Sequence, residues 1–180
     1  KQEKVVVPGL KETDAYPADP EDGYGWEKLF SERMCRHFEE DFGLETRVVR
    51  YHNVYGPMGT FGGGREKAPA SLCRKVAEAK LNKQKKIDVW GDGEQTRSFL
   101  YIDDCIEGTL KLFNSNYREP LNIGSDEQVS INQLVDITEK ISDMEELYGE
   151  DVQKLGIKLS LTPSNFIKWA TLINTCLLYT

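Results

Sequence analysis

The sequence predicts an α/β fold with parallel strand pairings, on three observations. Short β-branched runs alternate along the chain with stretches of helical periodicity, the order that builds parallel sheets. A long helical segment is bracketed by Asp22 before it and Gly43 after it, residue types that cap a helix start and a helix end. Near the other end, Ser130-Ile131-Asn132-Gln133 matches a capping box, and Val129 with Leu134 supplies the apolar staple that accompanies one.

Each element follows in order. Val5-Val6-Val7 is a β-branched run too short to assign, stopped by Pro8-Gly9. Residues 10–23 place Pro17 and Pro20 among Asp14, Asp19 and Asp22, which reads as a loop leading into a helix. In that helix Trp26, Phe30, Met34 and Phe38 recur every fourth residue, with Glu32, Arg33, Arg36, Glu39 and Glu40 between them. Residues 44–51 (LETRVVRY) form a strand candidate centred on Val48-Val49. Residues 52–64 read as a loop, with Pro57 and five glycines. A second helix starts at Ala68-Pro69, because proline suits a first helical turn, and runs to about Lys80. Lys83 to Lys86 is a basic, solvated cluster. Ile87-Asp88-Val89-Trp90 reads as a strand ending in the turn Gly91-Asp92-Gly93, and residues 97–101 as another extended piece. Asp103 is expected to cap a helix with Ile106, Leu110 and Phe113 on one face. Residues 120–123 read as a short strand, and the helix from the capping box carries Leu134, Val135, Ile137 and Ile141.

Composition narrows the function. A net charge of −7 argues against nucleic acid or an anionic membrane as partner. No apolar run approaches the ~20 residues of a membrane span. Cys35, Cys73, Cys105 and Cys176 lie far apart without CxxC spacing, so reduced thiols of a cytoplasmic protein are expected. With only His37 and His52 beside them, no metal site is expected. The sequence opens without Met or a signal-peptide pattern, which reads as an internal piece of a longer chain.

One spacing carries chemistry. Tyr24 and Lys28 stand four apart, on one helix face. An ammonium beside a phenol favours the phenolate and suits the tyrosine to proton transfer. Alone, the spacing is common on surface helices. Arg50 and Arg97 taken singly fit surface ion pairs, Gly62-Gly63-Gly64 a flexible loop, and Lys67 a solvated helix start.

Together and in order, these residues resemble a family. Tyr24-x-x-x-Lys28 is followed by Arg50-x-x-Asn53-x-Tyr55-Gly56-Pro57, then by Trp90-Gly91-Asp92-Gly93-x-Gln95-x-Arg97-Ser98-Phe99. Tyr101-Ile102-Asp103-Asp104 and Asn122-Ile123-Gly124 complete the series. It resembles the C-terminal two-thirds of an extended short-chain dehydrogenase/reductase acting on nucleotide-sugars. The runs RYHNVYGPMGTFGGGREKAPASLCRK and REPLNIGSDEQVSINQL are similar to the branch that epimerises GDP-mannose at C3 and C5.

The resemblance implies the C-terminal part of a Rossmann-like, doubly wound parallel sheet with a smaller α/β nucleotide-sugar-binding domain. Residues 1–55 would belong to the NAD-binding side and 56–150 mainly to the nucleotide-sugar region with returning Rossmann elements. It implies tightly bound NAD and a transient ketone at C4 that acidifies the C3 and C5 protons. Tyr24 would be the acid/base at the C4 hydroxyl, and Lys28 would support it and hold the nicotinamide ribose. Lys67 would exchange a ring proton together with a cysteine, since a lysine taken out of water titrates low enough for this. Asn53, Glu66, Lys67, Ala68, Lys75, Gln95, Thr96 and Arg97 would hold the GDP-sugar, Arg97 and Lys75 being the right types for its pyrophosphate. A homodimer is implied for the complete protein.

The sequence also departs from that family. The phosphate-cradling G-x-x-G-x-x-G turn is absent, as is a cysteine in the catalytic position. Residues 81–86 look slightly longer than the family's usual approach to Trp90. No acidic residue follows Asp151, and residues 165–180 match no part of the family. These residues are expected to be partly non-native, and the chain as it stands is expected neither to bind NAD well nor to turn over. Two alternatives stay open: a 4-epimerase or 4,6-dehydratase, or a non-catalytic piece that pairs with an intact subunit through the Tyr24 helix.

Overall fold

The computed structural model describes residues 9–148, and the side chains of residues 9–142. The β-branched run at residues 5–7 and the atypical tail at 165–180 lie outside the described residues. A 3-10 turn, Glu12–Ala15, precedes α1 (Gly23–Phe42), β1 (Val49–Tyr51) and β2 (Asn53–Tyr55). Then come α2 (Ala68–Leu81), β3 (Thr96–Arg97), β4 (Phe99–Tyr101) and α3 (Ile102–Phe113). The described residues end with β5 (Leu121–Ile123), β6 (Val129–Ser130) and α4 (Ile131–Tyr148). None of these helices is long and apolar enough to cross a membrane.

The chain forms two compact units. The first runs to His52 and takes the chain up again from Asp103 to Asp126. In it β1 and β5 pair in parallel, Arg50 opposite Asn122, as the alternating pattern predicts. The segment before α1 is fastened to β5: the Asn122 backbone N–H donates to Glu12 Oε1 at 2.9 Å and Asn122 Nδ2 to the Leu10 carbonyl at 3.0 Å. Arg47 donates through Nε and Nη2 to the Ser115 carbonyl (3.2 and 2.7 Å), tying the approach to β1 to the end of α3.

α1 begins and ends where the capping signals put it. Asp22 accepts from the Gly25 N–H at 2.9 Å, and Gly43 closes the helix in the left-handed region at φ 67°. Its apolar row is another matter. Trp26, Phe30, Met34 and Phe38 are 53, 64, 38 and 43% exposed, and no residue of α1 is buried. The four residues still share one face, about 120° wide at 40° per step, and that face is left uncovered among the described residues. α3 corrects its own reading twice. Its first residue is Ile102, so Asp103 sits inside the first turn instead of capping it. Cys105 and Leu112 are its buried residues, while Ile106, Leu110 and Phe113 are exposed.

The second unit runs Asn53–Ile102 and continues from Glu127. Here β2 and β4 pair in parallel and β3 and β6 antiparallel. Residues 53–55, expected in a loop, are therefore a strand: Asn53, Val54 and Tyr55 face Phe99, Leu100 and Tyr101. The core lies between α2 and α4, where Leu72, Cys73, Leu134 and Ile141 are essentially buried. Thr138 joins them fully buried, its hydroxyl satisfied by the Leu134 carbonyl at 2.8 Å. Ile87 and Val89 pack against this core while Trp90 is 86% exposed. The alternation expected of a strand is present at 87–90, but the segment joins no ladder among the described residues. The capping box is realised in both directions: the Ser130 N–H donates to Gln133 Oε1 (2.8 Å) and the Gln133 N–H to Ser130 Oγ (3.1 Å).

Candidate functional site

The predicted site residues fall into two groups. Tyr24 and Lys28 belong to the first unit; Asn53, Glu66, Lys67, Ala68, Lys75, Gln95, Thr96 and Arg97 belong to the second.

Tyr24 lies in the first turn of α1 and Lys28 one turn on. The Lys28 ammonium stands 5.0 Å from the centre of the Tyr24 ring and 3.5 Å from Glu27 Oε1. Both side chains are largely exposed, so a phenol and an ammonium open side by side on one helix face. Their helix is braced one turn further along, where Glu32 takes two hydrogen bonds from Arg50 (2.7 Å each). Arg50 also donates to the Glu12 carbonyl at 2.8 Å. The Glu32 hydrogen bonds raise the Arg50 pKa above its ordinary value.

The second group is built around the start of α2. Lys67 is the residue before the helix, in extended conformation and exposed. The described residues therefore do not take its ammonium out of water. Glu66 is different: its side chain is only 9% exposed. Arg74 Nη2 donates to its Oε1 at 3.1 Å, whereas Oε2 is buried without a hydrogen-bond partner among the described residues. The backbone N–H of Glu66 itself, then the Arg74 guanidinium and the Gly64 N–H, hold the carboxyl below its ordinary range, against the opposing effect of burial. Ala68 opens α2, and Lys75, two turns along, donates to the Asp88 carbonyl at 2.6 Å.

Gln95, Thr96 and Arg97 follow the turn at Gly91–Gly93, whose glycines have φ of 77° and 75°. Asn132, at the start of α4, holds this turn. Its Nδ2 donates to the Asp92 carbonyl (3.0 Å) and to Glu94 Oε1 (2.9 Å), and its N–H to the Gly93 carbonyl (3.0 Å). The Ile131 N–H donates to the Gln95 carbonyl at 3.2 Å, and Thr96 pairs with Ser130. Arg97 is exposed beyond its bond to the Thr96 carbonyl (2.8 Å). Asn53 Nδ2 reaches the neighbouring Ser98 carbonyl at 3.4 Å.

Three residues here escaped the sequence reading. Arg74 had a signal, Glu78 four residues on, but nothing marked its contact with Glu66. In the sequence Asn132 shows only as part of a capping box, and Glu32 only as helix surface.

Comparison with known proteins gives this geometry a context. Residues 1–124 match the model of the NAD dependent epimerase/dehydratase family. GDP-mannose 3,5-epimerase 1 of Oryza sativa subsp. indica is 54% identical over 136 residues, covering 76% of this chain and 35% of that protein. GDP-mannose 3,5-epimerase of Arabidopsis thaliana is 53% identical over 137 residues, with the same coverage. The chain thus spans about a third of the length of these relatives. Among solved structures, UDP-glucuronic acid 4-epimerase from Bacillus cereus in complex with NAD has a TM-score of 0.60 at 28% identity, over 88% of this chain and 52% of that one. UDP-glucose 4-epimerase from Thermotoga maritima with UDP-glucose has a TM-score of 0.69 at 24% identity, over 87% and 54%, a likeness of fold. The parallel β1–β5 and β2–β4 pairs, with helices between the strands, are part of a Rossmann-like fold.

Proposed function

Because this chain belongs to the NAD dependent epimerase/dehydratase family, we propose that it is part of an epimerase converting GDP-mannose to GDP-L-galactose. The observation that carries the reading is Glu66: a carboxylate held by Arg74 at the head of α2, next to the exposed amine of Lys67. That pair supplies an acceptor for a sugar hydroxyl beside an amine able to carry a proton. The similarity to plant GDP-mannose 3,5-epimerases supports the choice of sugar.

NAD, when bound, supplies the hydride acceptor, and Tyr24 and Lys28 are the residues of this chain that would meet it. Tyr24 takes the proton of the C4 hydroxyl as that carbon is oxidised, and returns it when the carbon is reduced. Lys28 would hold the nicotinamide ribose from one turn further along the helix. The C4 ketone acidifies the C–H bonds at C3 and C5. Lys67 carries one of the two proton exchanges, while Glu66 beside it orients the ring as a hydrogen-bond acceptor. Gln95, Thr96, Arg97, Lys75, Asn53 and Ala68 bind the GDP portion, with Arg97 and Lys75 on the pyrophosphate. In this reading residues 1–55 contribute to the NAD-binding side and 56–150 mainly to the nucleotide-sugar region.

The test is incubation of the complete protein with GDP-mannose in D2O, read by NMR. Deuterium at C3 and C5 with GDP-L-galactose as product supports the reading. Inversion at C4 alone, or loss of the C6 hydroxyl, replaces it with a 4-epimerase or a 4,6-dehydratase. The same reading carries a cytoplasmic homodimer; sizing the complete protein tests the assembly.

A further inference from the structure

Arg74 uses every nitrogen of its guanidinium. Nε donates to the Phe61 carbonyl at 2.7 Å, Nη1 to both carboxylate oxygens of Glu78 (3.2 and 3.0 Å), and Nη2 to Glu66 Oε1 at 3.1 Å. The side chain is 22% exposed. Four of its five N–H groups are thus taken within the protein, which leaves little for a phosphate, although it sits beside Lys75 in a basic pair that invites that reading. We propose that Arg74 is a positioning residue: it anchors residues 61–66 to α2 and thereby sets where Glu66 and Lys67 stand. The inference rests on the epimerase reading of those two residues.

Residues 61–66 contain Gly62-Gly63-Gly64, a run with no side chains to anchor it and the largest backbone freedom to lose. One end is fixed by the start of α2. The other is fixed at Phe61, whose carbonyl is taken by Arg74 and whose ring packs on the core. Between them Arg74 grips Glu66 directly. Glu78, one turn further along α2, takes the opposite edge of the guanidinium and fixes its plane. One oxygen of Glu66 is thereby fixed on Arg74, and the Glu66 and Gly64 N–H groups hold the same carboxylate. The carboxylate is thus oriented, not merely neutralised. A lysine has a single nitrogen and cannot meet the Phe61 carbonyl, Glu66 and Glu78 at once.

The experiment uses the complete protein with NAD bound, and compares wild type with Arg74→Met and Arg74→Lys. Two readouts are followed with GDP-mannose: deuterium incorporation at the ring carbons from D2O, and nicotinamide reduction by absorbance. The first reports the residues at the head of α2, the second the Tyr24–Lys28 pair. Arg74→Met should slow deuterium incorporation by about 100-fold, the cost of misplacing reacting groups by an ångström, while nicotinamide reduction persists. Arg74→Lys should recover little of it. Equal loss of both readouts, or exchange at the wild-type rate, overturns the proposal. Should Arg74→Met fail to fold, Arg74→Lys carries the test with a second measurement. Amide hydrogen exchange across residues 61–66 must quicken, and unchanged protection overturns the proposal. Absence of ring deuteration in the wild-type protein overturns the epimerase reading itself, and is seen before any variant is made.

Discussion

Arg50 and Glu32 meet edge to edge, Nε on Oε1 and Nη2 on Oε2, both at 2.7 Å, with side chains 21 and 14% exposed. The pair joins β1 to the helix that carries Tyr24 and Lys28. Because Arg50 also takes the Glu12 carbonyl, one guanidinium fixes strand, helix and the segment leading into it. Arg50→Leu leaves a half-buried carboxylate uncompensated, and should lower stability by about 3 kcal/mol. Arg50→Lys should recover only part, since it cannot make the two-point contact. Urea unfolding midpoints check both; a loss below about 1 kcal/mol would class the pair with surface ion pairs.

Tyr24 is 68% exposed and lends the fold almost nothing. Tyr24→Phe should therefore leave the unfolding midpoint in place while reducing epimerisation by the complete protein 100-fold or more, roughly the contribution of a positioned proton donor. Lys28→Met should act in the same direction on turnover and weaken NAD binding as well. A Tyr24→Phe protein that turns over normally would remove the assigned role.

The elements most legible in the sequence were those with local causes. Asp22 and Gly43 bracket α1, and Ser130 with Gln133 opens α4, because capping is settled within a few residues. Strand membership at 53–55 and 87–90 was misjudged because pairing is decided by a distant partner. Asn53–Tyr55 has one in Phe99–Tyr101, while Ile87 and Val89 reach the core without joining a ladder. The same reason hid Arg74 and Asn132. Each holds residues assigned to the site through contacts that no sequence spacing announces, Arg74 to Phe61 and Glu66, Asn132 to the turn at Asp92–Glu94.

The Glu66–Arg74 contact should respond to acid. Folding lowers the Glu66 pKa from an ordinary value of 4.5, so the folded state prefers the ionised carboxyl. The resulting stabilisation is complete above the ordinary glutamate range and is lost as pH falls through the lowered folded value. Amide protection across residues 61–66, corrected for intrinsic exchange, should hold from neutral pH to about 5 and decline below the ordinary range. Arg74→Met should weaken that dependence. Protection that rises on acidification would contradict the sign.

Gly93 and Asn132 form a lock on the turn that leads into Gln95, Thr96 and Arg97. Gly93 is buried at φ 75°, and a Cβ added there would occupy the space of the Asn132 carboxamide. Gly93→Ala meets two penalties, a left-handed backbone and a steric overlap, and should cost about 2–3 kcal/mol. Asn132→Ala removes the overlap but gives up the exposed hydrogen bonds to the Asp92 carbonyl and Glu94, a loss of about 1 kcal/mol. Because alanine at 132 vacates the space that alanine at 93 needs, the double variant should cost less than the sum of the singles. Urea midpoints of the three variants measure the coupling, and strict additivity would mean the two residues do not share that space. In the complete protein, Asn132→Ala should also weaken GDP binding, since the turn it releases carries the residues assigned to the nucleotide.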